Sequence, residues 1–244
     1  MKKYFPCVAI GLFAMLTGVL SANVHAQSDN LFKKTLNKVV PESGGDISQG
    51  LKQALEFGVK EAVTSLSAEN GYYNSPYKIL IPEEARTIVD KVKMVPGFQD
   101  VEQQLIDKMN AAAEIAAKKA TPIFVDAITN LTIQDATNIL MGEKDAATRY
   151  LESQTRSGLY AAFMPEIQSA LDEVNARTYW KSVISAYNSI PLVKKVNPEL
   201  DDYVNNKALD GMFGLIEVKE GKIRTDQSQR TTDLLKKVFK QQDK

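Results

Sequence analysis

The chain has 244 residues, room for one domain or two small ones, and its 30 basic side chains cancel 30 acidic ones. That balance excludes a nucleic-acid coat or a polyacidic tail, and 44% hydrophobic with 25% charged residues is the composition of an ordinary globular protein. The counts of one cysteine and one histidine are the most restrictive.

Residues 1–26 have the pattern of a secretory signal. Lys2 and Lys3 precede the 13-residue run Val8 to Leu20, in which only Thr17 is polar, and Val24-His25-Ala26 supplies a small-residue cleavage site. The run is short for a membrane span. Cleavage after Ala26 leaves 218 residues starting at Gln27, with a net charge of −2. Cys7 lies before the apolar run, whereas a lipidated cysteine would directly follow it, so no lipid anchor is expected. Both Cys7 and His25 leave with the signal. The mature chain is then expected to lack disulfides, thiolate nucleophiles, Ser/His/Asp or Cys/His arrangements and imidazole or sulfur metal sites. A periplasmic domain held together by its core is the reading.

Residues 27–45 carry a short helix signal, Leu31-Phe32-Leu36, followed by Pro41-Glu42-Ser43-Gly44-Gly45, and read as an N-terminal arm with a Gly/Ser linker. The domain proper is expected over 46–240. Ile47, Leu51, Leu55, Val59, Val63 and Leu66 predict a first helix, with Asp46 and Gln49 at capping-box spacing. Asn70-Gly71-Tyr72-Tyr73-Asn74-Ser75-Pro76 is turn chemistry, and Ile79-Leu80-Ile81 a short apolar run. Pro82 with Glu83 and Glu84 opens another helix, which Pro96-Gly97 breaks.

Phe98, Val101, Leu105, Met109, Ala112, Ala116 and Ala120 predict a long helix ending near Pro122. Thr132 with Asp135 suggests a cap, and Gly142 a stop. A helical pattern from Asp145 to about Ala176 contains Pro165, which either kinks it or starts a new helix. Further helices are predicted over about 178–189 and 199–218, and a last one carries Leu234, Leu235, Val238 and Phe239. The fold class is all-α, with about eight to nine helices in one domain.

On the alanine-rich long helix, Gln103, Asp107, Asn110, Glu114 and Lys118 form a polar stripe. We read it first as a solvated face with a Glu114–Lys118 pair, and alternatively as a polar pocket around Asn110 and Glu114. Tyr72, Tyr73 and Tyr77 lie in a turn-rich loop where aromatics line ligand clefts or merely cover helix ends. Trp180 reads as core. Asp126, Asp135, Glu143 and Asp145 are explained by caps and first-turn positions better than by a hard cation, and no EF-hand spacing is present. Residues 219–244 carry an excess of +4, so 27–218 carry −6. Arg224 and Arg230, beside Thr231 and Thr232, form a candidate anion site at the start of the last helix. The basic end can pair with the acidic body of its own chain, with anionic lipid head groups or with an acidic partner.

Several stretches together resemble one bacterial family of exported proteins, domain-of-unknown-function family 4197. They are Asp46-Ile47-Ser48 with Gly50-Leu51-Lys52, Gly71-Tyr72-Tyr73, Ile79 with Ile81-Pro82, Met109-Asn110 with Ala112-Ala113-Glu114, and Pro122-Ile123-Phe124. Asp135-Ala136, Ile139-Leu140, Gly142, Ala147-Thr148, Gly211, Phe213, Ile223-Arg224, Arg230 to Lys236 and Val238-Phe239 complete the series. The resemblance covers about 46–240. Where the family usually has an arginine after the motif asparagine, this chain has Ala111, and where it usually has Asp-Pro it has Asp226-Gln227. The resemblance implies an exported, mostly helical domain and supplies no reaction.

The expected function is that of an exported binding or interaction protein of the cell envelope, non-catalytic, without cofactor or metal. Its candidate ligand-binding residues are Tyr72, Tyr73, Asn110, Glu114, Arg224 and Arg230, and its partner is a small ligand or an envelope protein, not nucleic acid. Two alternatives stay open: a carboxylate-based, cation-assisted periplasmic enzyme, and a protein docking on the envelope surface, including anionic membrane, through its basic C-terminus.

Overall fold

Nearly every stretch with helical apolar spacing is a helix in the structure, a computed structural model that describes residues 42–94, 99–173, 175–197 and 199–243. Among the described residues nine α-helices follow one another: α1 (Glu42–Leu66), α2 (Glu83–Lys93), α3 (Val101–Ala117), α4 (Ala120–Thr129), α5 (Ile133–Leu140), α6 (Ala146–Asp172), α7 (Ala176–Asn188), α8 (Leu200–Thr225) and α9 (Asp233–Phe239). No strand occurs among the described residues, and no helix there is long and apolar enough to cross a membrane. The fold is all-α. The expected signal, the arm up to residue 41, Phe98 and the Pro96-Gly97 break lie outside the described residues.

Helix α6 is the centre. Leu151, Thr155, Leu159, Phe163, Ile167 and Leu171 recur every four residues and are buried, which gives one continuous stripe facing the neighbouring helices. Its most extensive contacts are with α8 and α3. Alanines at 112, 113, 116 and 117 of α3 are fully buried and bring the helix backbones together. Phe124 of α4 meets Phe213 of α8 edge to face, with ring centres 5.8 Å apart.

Four boundaries depart from the sequence reading. Helix α1 starts at Glu42, so residues 42–45 are its first turn rather than linker. Glycine lowers helix propensity by roughly 1 kcal/mol without forbidding it, and a long helix absorbs that cost. Asp46 therefore lies inside the helix and accepts a hydrogen bond from Lys237 instead of capping. The long helix predicted to reach Pro122 breaks earlier, at Lys118-Lys119, whose N–H groups donate to Ile115 and Ala116 three residues back. Pro122 then sits in the first turn of α4, where a missing N–H costs no helical bond. Pro165 neither ends nor starts a helix. It lies on the exposed side of α6, where water can serve the carbonyl that its ring leaves unbonded. Helix α8 runs on to Thr225, seven residues beyond the predicted 218.

The Thr132 cap is present. Its hydroxyl accepts the Asp135 N–H (3.1 Å), while the Asp135 carboxylate accepts the Thr132 N–H (3.1 Å) and hydroxyl (2.7 Å). These bonds hold the Asp135 carboxyl below its ordinary pKa. A depressed carboxyl contributes stability that is complete above the ordinary range, about pH 4, and is lost as pH falls through the folded value. We expect Thr132→Ala to return the Asp135 titration, followed by NMR, to the ordinary range and to remove about 1 kcal/mol of stability through loss of the cap.

Candidate functional site

The segment between α1 and α2 is shaped by residues that α3 and α8 present to it. Asn70 has a φ of 59°, and a Cβ at Gly71 would lie 2.3 Å from the Ser65 carbonyl oxygen, so this turn requires glycine. Glu114 of α3 accepts the N–H groups of Asn70 (3.1 Å) and Tyr72 (3.2 Å). One turn earlier, Asn110 accepts the Ile79 N–H (2.9 Å) and donates to the Ile79 carbonyl (2.9 Å) and to that of Ile106 (2.7 Å). Asn110 thus stands in for the strand that the extended run 79–81 lacks. The solvated-face reading is corrected for these two residues: Asn110 is buried, and backbone amides rather than Lys118 hold the Glu114 carboxylate. Gln103, Asp107 and Lys118 are exposed.

Tyr72 is fully buried and donates its hydroxyl to the Ala208 carbonyl of α8 (2.7 Å). Burial, reinforced by Glu114, pushes that hydroxyl far above its ordinary pKa. Tyr73 is half-buried, accepts a hydrogen bond from Gln103 (3.0 Å) and carries the Lys78 ammonium 3.4 Å above its ring centre. Tyr77 lies on two glycines of α8: a Cβ at Gly211 would come within 2.9 Å of the Tyr77 Cβ, and one at Gly214 within 2.7 Å of its ring. Gly211→Ala is expected to cost about 1–3 kcal/mol by overpacking, against roughly 1 kcal/mol gained in helix propensity. Urea unfolding should show a net loss.

Between this segment and α8 runs an open groove of about 510 Å³, whose walls include Tyr77, Lys78, Leu80, Arg86, Tyr203 and Lys207. Tyr203 donates its hydroxyl to the Leu80 carbonyl (2.9 Å) and ties the two walls together. Tyr72 and Tyr73 do not line it. They anchor the segment that does. The sequence reading missed Tyr203, Lys207 and Arg86 as groove residues, although Tyr203, Lys207, Gly211 and Gly214 share one face of α8 by their spacing.

The candidate anion site is filled by the chain itself. Arg224 is buried and donates to the carbonyls of Ile139 (2.9 Å) and Leu140 (3.2 Å) at the end of α5 and to Glu220 (2.9 Å). Glu220 in turn accepts the N–H groups of Ala147 (3.0 Å) and Thr148 (2.8 Å) at the start of α6. An acid therefore sits at a helix N-terminus and a base at a helix C-terminus, each matching the dipole it meets. Arg230 is buried too, and donates to the carbonyls of Ile223 (2.9 Å) and Arg224 (2.9 Å) and to Asp243 (3.0 Å). Other basic residues of this end also pair internally, Lys219 with Glu61 and Lys236 with Asp233.

Asp126 and Asp135 line a second open groove with Tyr150. A general acid needs a carboxyl raised toward neutrality, whereas Asp135 is shifted the other way. Among the described residues no group of three or more acids, histidines or cysteines is placed to hold a metal ion.

No curated protein and no solved structure matches the chain. A family model described as a protein of unknown function (DUF4197) matches residues 42–240. That match takes in all nine helices, both walls of the groove and the buried Glu220–Arg224 pair, and the chain belongs to this family.

Proposed function

We propose that the protein is an exported, non-catalytic binding module of the bacterial cell envelope, and that its ligand or partner lies in the groove between residues 76–86 and α8. The observation that carries this reading is the division of labour around that groove. Asn110, Glu114 and Tyr72 are consumed in holding its wall, while Tyr77, Leu80, Tyr203, Lys78, Arg86 and Lys207 line the open space. An apolar and aromatic lining with a few placed charges is the usual make-up of a binding cleft. Among the described residues Arg86, Lys207 and Lys78, the last seated over the Tyr73 ring, face Glu83 and Asp210, and Asp210 is already engaged by Arg156 (2.7 Å). The balance favours an anionic group on the ligand.

Native mass spectrometry of the protein recovered from the cell envelope tests this. The expected spectrum shows a chain beginning at Gln27 with a bound species, and that species is lost from a Leu80→Asp, Lys207→Glu variant that still folds. A bare mass for the wild type, or a species retained by the variant, contradicts the reading.

A further inference from the structure

The groove that Asp126 and Asp135 share with Tyr150 is walled by α4, α5 and α6, and its volume of about 620 Å³ is that of a ligand site, roughly 300–1,000 Å³. Asp126 and Asn130 stand one helical turn apart, the Asn130 N–H still donating to the Asp126 carbonyl (3.1 Å), and Tyr150 and Gln154 have the same spacing on α6. Asp135 is the fixed member. Both hydrogen bonds that its carboxylate takes from Thr132 fall on Oδ2, which leaves Oδ1 without a partner among the described residues. The side chains of Asp126 and Asn130 and the Tyr150 hydroxyl make no hydrogen bond there either, and Gln154 has only a long one to Ser153 (3.4 Å). Burial and the Asp135 charge raise the pKa of the Tyr150 hydroxyl and keep it in its donating form.

This lining discriminates between ligand classes. Among the described residues no lysine or arginine lines the groove, while two carboxylates do, so an anion is repelled. An apolar ligand would strip water from these polar groups and leave them unpaired. Hydroxyl groups fit, because each both donates and accepts. The carboxylates take the protons, and the Asn130 and Gln154 amides and the Tyr150 hydroxyl supply them. Ile123 and the Tyr150 ring add apolar surface for the C–H face of a sugar ring. We propose that this groove binds a saccharide, neutral or amine-bearing, whose adjacent hydroxyls are held by Asp126, Asn130, Asp135 and Gln154 and whose ring lies against Tyr150. The site is distinct from the groove along α8 and does not rest on the reading of that groove.

Isothermal titration of the protein recovered from cells with tetramers of glucose, mannose, N-acetylglucosamine, glucosamine and galacturonate tests it. At least one of the three neutral tetramers is expected to bind, and the anionic galacturonate tetramer is not. The double variant Asp126→Ala, Asn130→Ala should weaken that binding at least about tenfold, and Tyr150→Phe, which keeps the ring and removes the hydroxyl, about two- to tenfold. Asp126 and Asn130 are exposed, so circular dichroism of the double variant should be unchanged. A Leu80→Asp variant should keep full saccharide binding, which separates this result from failure of the other groove. The proposal is overturned if no neutral tetramer binds, if the glucosamine tetramer alone binds, which marks plain charge attraction, or if galacturonate binds as tightly. Undiminished binding by the double variant overturns it as well.

Discussion

Replacing Glu220 by alanine is expected to destabilise the protein by about 3–5 kcal/mol, because it leaves the Arg224 charge buried without its partner. Both side chains are buried, and the ion pair spans 2.8 Å. The pair also joins three helix ends, since Glu220 on α8 satisfies the first amides of α6 while Arg224 satisfies the last carbonyls of α5. Substituting both residues by methionine usually recovers most of such a loss, as well-packed apolar groups replace a desolvated pair. Here the recovery should be incomplete. The Thr148 hydroxyl, bonded to Glu220 at 2.8 Å, and the amides beside it would stay buried without acceptors. Urea unfolding of the single and double variants checks this, and a double variant as stable as wild type would show that the helix-end bonds contribute little.

The second large effect is expected at Asn110. Alanine there leaves the Ile79 N–H and carbonyl unbonded in a buried setting, at about 1–3 kcal/mol for each group, so a loss of roughly 2–6 kcal/mol is expected. Leucine, closer in volume, should be no better, because the missing partners are polar. The consequence for binding differs from that of a lining residue. Asn110→Ala should weaken binding and stability together by releasing the wall that carries Leu80. Lys207→Ala should weaken binding with stability within about 0.5 kcal/mol of wild type, as is usual for an exposed position. Denaturation and binding measured on the same samples separate the two.

The all-α fold was legible because the apolar residues keep helical spacing over most of the chain and capping chemistry marks ends such as Thr132. Boundaries failed where local propensity was overridden: at Gly44-Gly45, which continue α1, and at Lys118-Lys119, where three-residue bonds break a helix that alanine would have continued. Asn110, Glu114, Arg224 and Arg230 were conspicuous because polar groups stood among alanines or beside threonines. Spacing along one helix does not reveal which backbone from a distant segment will meet those groups. Asn110 bonds to Ile79 and Arg224 to Ile139, so conspicuous polarity here marks buried hydrogen bonding between segments. The groove lining was harder to see, since Tyr203 and Lys207 are ordinary residues on an ordinary helix face. The seating of Tyr77 on Gly211 and Gly214, with the hydrogen bonds from Tyr72 to Ala208 and from Tyr203 to Leu80, places the loop opposite them.

Helix α3 holds the 70–82 segment as a fixed wall through Asn110 and Glu114. Amide hydrogen exchange read residue by residue tests it most directly. In the wild type the Ile79 and Tyr72 amides should be protected like those of α3, and Asn110→Ala should speed exchange at Ile79 far more than in α6. If Ile79 exchanges as fast as an open loop in the wild type, or does not respond to Asn110→Ala, the wall is not held as described.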